Sequence, residues 1–168
     1  LGGEICETSL RTAGRDIGAI GADDARAAFG IDAGGLMVLP GIVDLHGDAF
    51  ERQMMPRAGV DFPVDVALTD SDRQAIGNGI TTVFHATTWS WEPGLRSGDN
   101  ARRLLETIES IRPQLAADTR FHLRHETYNL EAEAEIAGWL AEGRIDLLAF
   151  NDHMDSTVAS LAKPQKRS

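Results

Sequence analysis

Apolar positions along this chain follow two regimes, and the change falls at Pro40. Up to Leu39 they come in short runs: Ile5 and Leu10, Ile17 and Ile20, then Leu36 to Leu39, punctuated by glycines at 14, 18, 21, 30, 34 and 35. That spacing predicts a few strands of a small sheet joined by turns, with Asp23 to Phe29 a loop or helical turn. The segment is too short for a comfortable core of its own.

Beyond Pro40 the rhythm becomes strand, loop and helix. Val38 to Leu45 is a nearly continuous apolar run broken by Pro40-Gly41, which predicts a strand buried on both faces and ending at His46-Gly47-Asp48. After a long loop, Thr69 or Asp70 caps a short helix ending near Gly77 or Gly79, and Ile80 to Phe84 is a β-branched strand ending at His85. Asp99 or Asn100 caps the next helix, whose Leu104, Leu105, Ile108, Ile111 and Leu115 share one face. Phe121 to Leu123 begins a third strand that runs into His125-Glu126. Asn129 then caps a helix carrying Leu130, Ile136, Trp139 and Leu140 and closed by Gly143, and Ile145 to Phe150 is a fourth strand ending at Asn151-Asp152-His153. Four alternations of β and α predict an α/β fold with a parallel sheet and crossover helices.

Composition narrows the function classes. Of 168 residues 42% are apolar and 25% charged, as in a folded soluble protein. A formal charge of −10 argues against a nucleic-acid or anionic-membrane partner, whose phosphates would repel such a surface. A phosphorylated small molecule held by a few placed cations stays open. Cys6 is the single cysteine, so no intrachain disulfide is expected and the reading is cytoplasmic. No apolar run approaches the ~20 residues of a membrane span, and Leu1-Gly2-Gly3-Glu4 does not read as an export signal. The basic tail with Lys163, Lys166 and Arg167 is read as solvated.

The candidate chemistry is positional. His46 and Asp48, His85, His125 and Glu126, and Asp152 and His153 all fall at or just past the C-terminal ends of predicted parallel strands; His122 lies within the third strand. In a (β/α)8 barrel that rim is where active sites are built. His46 and Asp48, two residues apart in extended backbone, point to one side and can bind one cation, although Asp48 as a loop brace and His46 as a core residue is the plainer alternative. Strand alternation puts His122, Arg124 and Glu126 on one face and Leu123 and His125 on the other. If Glu126 faces the barrel mouth, His122 lies beneath it and His125 packs under a helix; Glu126 can otherwise pair with Arg124. His153 is the next ligand candidate, with Asp152 or Asn151 able to fix its tautomer. His85 reads as structural. Arg52, Arg57 and Arg124 are the cations that could hold phosphate oxygens, and Trp89 and Trp91 read as loop anchors.

Leu39-Pro40-Gly41-Ile42-Val43-Asp44-Leu45-His46 resembles the first barrel strand of the amidohydrolase superfamily. Most members carry His-x-His there, whereas this chain has His46-Gly47-Asp48. The continuation through Ala49 to Arg57, with Phe121 to Glu126 and Asn151-Asp152-His153 downstream, narrows the resemblance to the phosphonate-catabolism diphosphatases of that superfamily. It extends from about Arg15 onward and is most specific over Leu45 to Arg57.

The resemblance implies the first half of a (β/α)8 TIM barrel over residues 40–168, four of eight strand-helix units, preceded over 1–39 by part of a small β-sandwich. It implies one or two divalent metal ions, zinc by expectation, held by His46, Asp48, Glu126 and His153. The implied reaction releases pyrophosphate from a phosphorylated sugar, with arginines at the leaving group and a metal-bound water as nucleophile. The general base is expected beyond residue 168 and this stretch alone is expected to be inactive. Hydrolysis of a cyclic amide or an N-acetyl amino sugar on the same scaffold, and a non-catalytic half-barrel, remain the alternatives. A homo-oligomer is also left open.

Overall fold

The computed structural model of the chain describes residues 5–14, 16–21 and 29–161. It divides into two units, Leu1–Leu39 and Pro40–Ser168, at the point where the apolar rhythm changes.

In the first unit β1 (Leu10–Ala13) pairs antiparallel with β2 (Asp16–Ile20), Leu10 opposite Ile20. Ile5 and Leu36 to Leu39, expected in strands, lie outside them; Ile5 is 84% exposed and Leu36 73%. Apolar side chains alone do not make a strand where no neighbouring backbone completes the ladder. Most of the expected loop from Asp23 lies outside the described residues. None of the described residues of this unit is buried, in keeping with so short a segment.

The second unit is a curled parallel sheet of β3 (Ile42–Gly47), β4 (Ile80–Trp89), β5 (Asp118–Glu126) and β6 (Leu147–Asn151), in that order. Between β3 and β4 run α1 (Phe50–Met54) and α2 (Val64–Gly77); α3 (Gly98–Ile111) joins β4 to β5, α4 (Glu133–Ala141) joins β5 to β6, and α5 (Met154–Leu161) follows β6. The apolar stripes of α1 to α4 and one face of the sheet share a core built on Phe50, Leu68, Leu104, Ile108, Phe121 and Trp139.

The register of elements departs from the sequence reading in instructive places. Helix α2 starts at Val64, ahead of Thr69, because Val64, Ala67, Leu68, Ser71, Asp72 and Ala75 form one continuous buried stripe and Pro63 fits the position just before it. Thr69 turns its hydroxyl back to the Asp65 carbonyl at 2.7 Å instead of capping. Ser97, rather than Asp99 or Asn100, caps α3: its Oγ accepts from the Asn100 N–H at 3.1 Å. Asn129 makes no side-chain cap and is followed by a 3-10 turn, Leu130–Ala132, ahead of α4. Strand β3 begins at Ile42, not Val38, and lies at the edge of the described sheet. Ile42, Val43 and Leu45 are therefore more than half exposed rather than buried on both faces.

Two contacts seat the sheet. The Asp72 carboxylate, 7% exposed on α2, accepts from the Ala117 N–H at 2.8 Å and the Ala116 N–H at 3.1 Å, just before β5. Gly47 at the end of β3 lies so close to β4 that a Cβ there would stand 2.7 Å from Val83 Cγ1, so a larger residue would force that side chain or the strand to shift.

Candidate functional site

Along β5, Phe121 and Leu123 belong to the helix-side core, and Phe121 meets the Trp139 ring at 6.2 Å. Alternation turns His122, Arg124 and Glu126 to the opposite, inner face. There the His122 ring stands edge-on to His46 with centroids 5.5 Å apart, and its Nδ1 lies 3.0 Å from the Leu45 carbonyl oxygen. A carbonyl only accepts, so Nδ1 carries the proton and donates. Burial holds the His122 pKa below the ordinary histidine value; the Leu45 carbonyl opposes this, while His46 and Arg124 add to it.

Four residues further along, Glu126 is 3% exposed and its Oε1 lies 2.5 Å from His153 Nδ1. The other oxygen of the carboxylate accepts from the His153 backbone N–H at 3.4 Å. Glu126 thus takes the orienting place the sequence gave to Asp152 or Asn151. Asp152 accepts instead from the Met154 N–H at 3.1 Å, bracing the start of α5. Asn151, with its amide oxygen turned to the guanidinium, accepts from Arg124 Nε and Nη2, both at 3.3 Å.

Asp48 is exposed at the head of α1, where its carbonyl accepts from the Glu51 N–H at 3.1 Å. Glu51 is a member that the sequence reading missed. Burial, and then the charge of Asp48, raise its pKa, while Arg96, Arg124 and His46 act in the opposite sense. The three-residue step from Asp48 to Glu51 was the available signal, since it stacks both on one side of a helical turn.

The remaining candidates lie elsewhere. Arg52 lines a cleft of about 570 Å³ between α1 and α2 with Phe62, Val66 and Arg73. Arg57 is exposed in the following loop, bridged through its backbone to Val60. Of the three candidate arginines, Arg124 is the one a described interaction ties to the inner face. His125 is 4% exposed and packs edge-on to Phe150, ring centroids 6.1 Å apart, on the side shared with Leu123. His85 also faces the helix layer, edge-on to Phe50 at 5.2 Å beside a cavity of about 170 Å³ lined by Asp44, Ser71 and Asn78. Burial lowers its pKa to about 4, with Asp44 and Asp72 acting weakly against this. Trp89 is buried against Trp139 at 5.3 Å, whereas Trp91 is half exposed.

Does this donor set suit a divalent metal? Its types do, being imidazole nitrogens and carboxylate oxygens, and His122 Nε2 is buried with no hydrogen-bond partner. The donors stand in pairs, His46 with His122 and Glu126 with His153. Among the described residues no group of three or more His, Cys, Asp or Glu side chains is gathered closely enough to hold an ion.

Parallel strands whose C-terminal ends present imidazole, carboxylate and guanidinium groups on one face are the architecture of α/β enzymes with rim-built sites. Among curated proteins, this chain is similar to the alpha-D-ribose 1-methylphosphonate 5-triphosphate diphosphatase of Escherichia coli (strain K12), a hydrolase, with 30% identity over 132 residues. The alignment covers 75% of this chain and 34% of that protein, so the chain spans about a third of the length of the curated relative it matches. No family model matches the chain, and no solved structure matches it. Among the described residues no helix is long and apolar enough to cross a membrane.

Proposed function

We propose that this chain contributes the first four strand-helix units of a (β/α)8 hydrolase of the amidohydrolase superfamily. The protein converts alpha-D-ribose 1-methylphosphonate 5-triphosphate to the 5-phosphate and pyrophosphate. The observation carrying the reading is that the His46–His122 pair, Arg124 and the Glu126–His153 pair lie on one face of the sheet, toward the C-terminal ends of parallel strands. The diphosphatase relative supplies the reaction class.

In this reading His46, Asp48, Glu126 and His153 between them hold one or two divalent ions of the zinc class. A divalent ion held by these residues would supply an acidified water and a Lewis acid for the attacked phosphoryl group. Arg124, steadied by Asn151, offers its guanidinium to the negative charge that builds on the departing pyrophosphate. Glu126 keeps the His153 ring in one orientation through the Nδ1 contact. The substrate is a small phosphorylated sugar, and the acidic surface disfavours nucleic acid as an alternative polyanion.

The test is pyrophosphate release from the 5-triphosphate by the full-length protein supplied with Zn2+ or Mn2+, run beside a cyclic amide and an N-acetyl amino sugar. Release from the triphosphate alone is expected, and Arg124→Ala should slow it about 100-fold. Turnover of an amide substrate without pyrophosphate release would overturn the reading. The 168-residue stretch by itself is expected to be inactive, because the pairs described on its inner face do not form a closed ligand set.

A further inference from the structure

His122 is only 4% exposed, yet only one of its two ring nitrogens has a hydrogen-bond partner. Nδ1 donates to the Leu45 carbonyl, so Nε2 is the nitrogen with the free lone pair, and no donor reaches it. Folded proteins seldom leave a buried acceptor unmet without a reason. A backbone carbonyl on the far nitrogen is also how metal-binding histidines are held in one tautomer with the ligating nitrogen deprotonated.

Two further facts put a second imidazole beside this ring. The nearest aromatic neighbour of His122 is His46, edge-on at 5.5 Å between centroids, so two imidazoles from different strands share one small volume. Leu45, which fixes the His122 ring, is the residue immediately before His46, so one stretch of β3 backbone supplies the first imidazole and orients the second.

We propose that His122 Nε2 is a direct metal ligand paired with His46, forming a two-imidazole seat for a zinc-class divalent ion below the Glu126–His153 pair. This rests on the metal-hydrolase reading above. Glu126 lies four residues past His122 on the same strand, ~13 Å away along the backbone, so the two pairs sit at different depths. Two nitrogen donors select Zn2+ or Co2+ over Mg2+, which prefers oxygen.

The experiment uses full-length protein and the metal alone. Zn2+ affinity is measured by competition with a chromophoric chelator for the native protein, His46→Ala, His122→Ala and His122→Asn. In parallel, 15N spectra of the native protein's histidine side chains are recorded with and without Zn2+, a readout that needs no variant to fold. Both His122 variants should bind Zn2+ at least ~10-fold more weakly, and the native Nε2 resonance of His122 should move on Zn2+ addition while Nδ1 stays protonated. If native protein binds Zn2+ and His46→Ala weakens it, but the His122 variants and the Nε2 resonance are unaffected, the ligand assignment is overturned and the hydrolase reading stands. If the native protein binds no Zn2+ at all, both fall.

Discussion

His153 Nδ1 stands 2.5 Å from Oε1 of Glu126, a carboxylate only 3% exposed, so the imidazole that follows β6 closes over a buried group at the end of β5. Removing the imidazole strands that carboxylate. In metal-free protein His153→Ala should lose about 1–3 kcal/mol of stability, and Glu126→Gln should lose less because the amide carries no charge. Urea unfolding in the presence of a chelator measures both. An unchanged His153→Ala midpoint would show that the pair is not formed in solution.

His85 makes stability depend on pH. Its folded pKa of about 4 lies below its ordinary 6.5, so the unfolded chain takes up the proton first. The contribution is fully present above about 6.5 and is lost as pH falls toward 4, by roughly 3 kcal/mol in all. Unfolding free energies between pH 7 and 4 should slope downward in the native protein and more gently in His85→Gln. Parallel profiles for the two proteins would contradict the assignment.

Gly47→Ala tests the close approach of β3 and β4. With Val83 Cγ1 at 2.7 Å from the added Cβ, the Val83 side chain or the strands must shift, at a cost of about 1–3 kcal/mol. A thermal midpoint unchanged by the substitution would mean that the strands lie further apart than described. Pairing it with Val83→Ala should recover part of the loss, since the clash is with that methyl group.

Asp72→Ala is expected to cost about 2–4 kcal/mol, because two backbone N–H groups lose a charged acceptor and one of them is buried. Asp72→Asn keeps one acceptor and should fall between the two. Amide hydrogen exchange at Ala116 and Ala117 is the direct measurement: both should exchange faster in Asp72→Ala, and unchanged protection would refute the contact.

The alternating strands and helices after Pro40 were legible because each carries its own period: Leu104, Leu105 and Ile108 mark a helix face, and Ile80 to Phe84 a β-branched strand. The alternation of His122, Arg124 and Glu126 on β5 was legible for the same reason. Element starts were not, since Thr69 and Asp99 look like caps locally, while the continuous buried stripe from Val64 and the Ser97 hydroxyl decide the outcome. Glu51 escaped notice because a short helix after a strand leaves little periodicity. The places of Arg52 and His85 depend on how α1 and α2 fold back over the sheet, which no local pattern encodes.

Asp72 gives the inner face a datum. By gripping the two peptides that lead into β5, α2 fixes how far that strand slides along its neighbours, and with it the heights of His122, Arg124 and Glu126. A slip of one residue would turn all three to the opposite face. The candidate edge of the sheet is therefore indexed from its far end, as a ruler is read from its zero, by a carboxylate outside the candidate site.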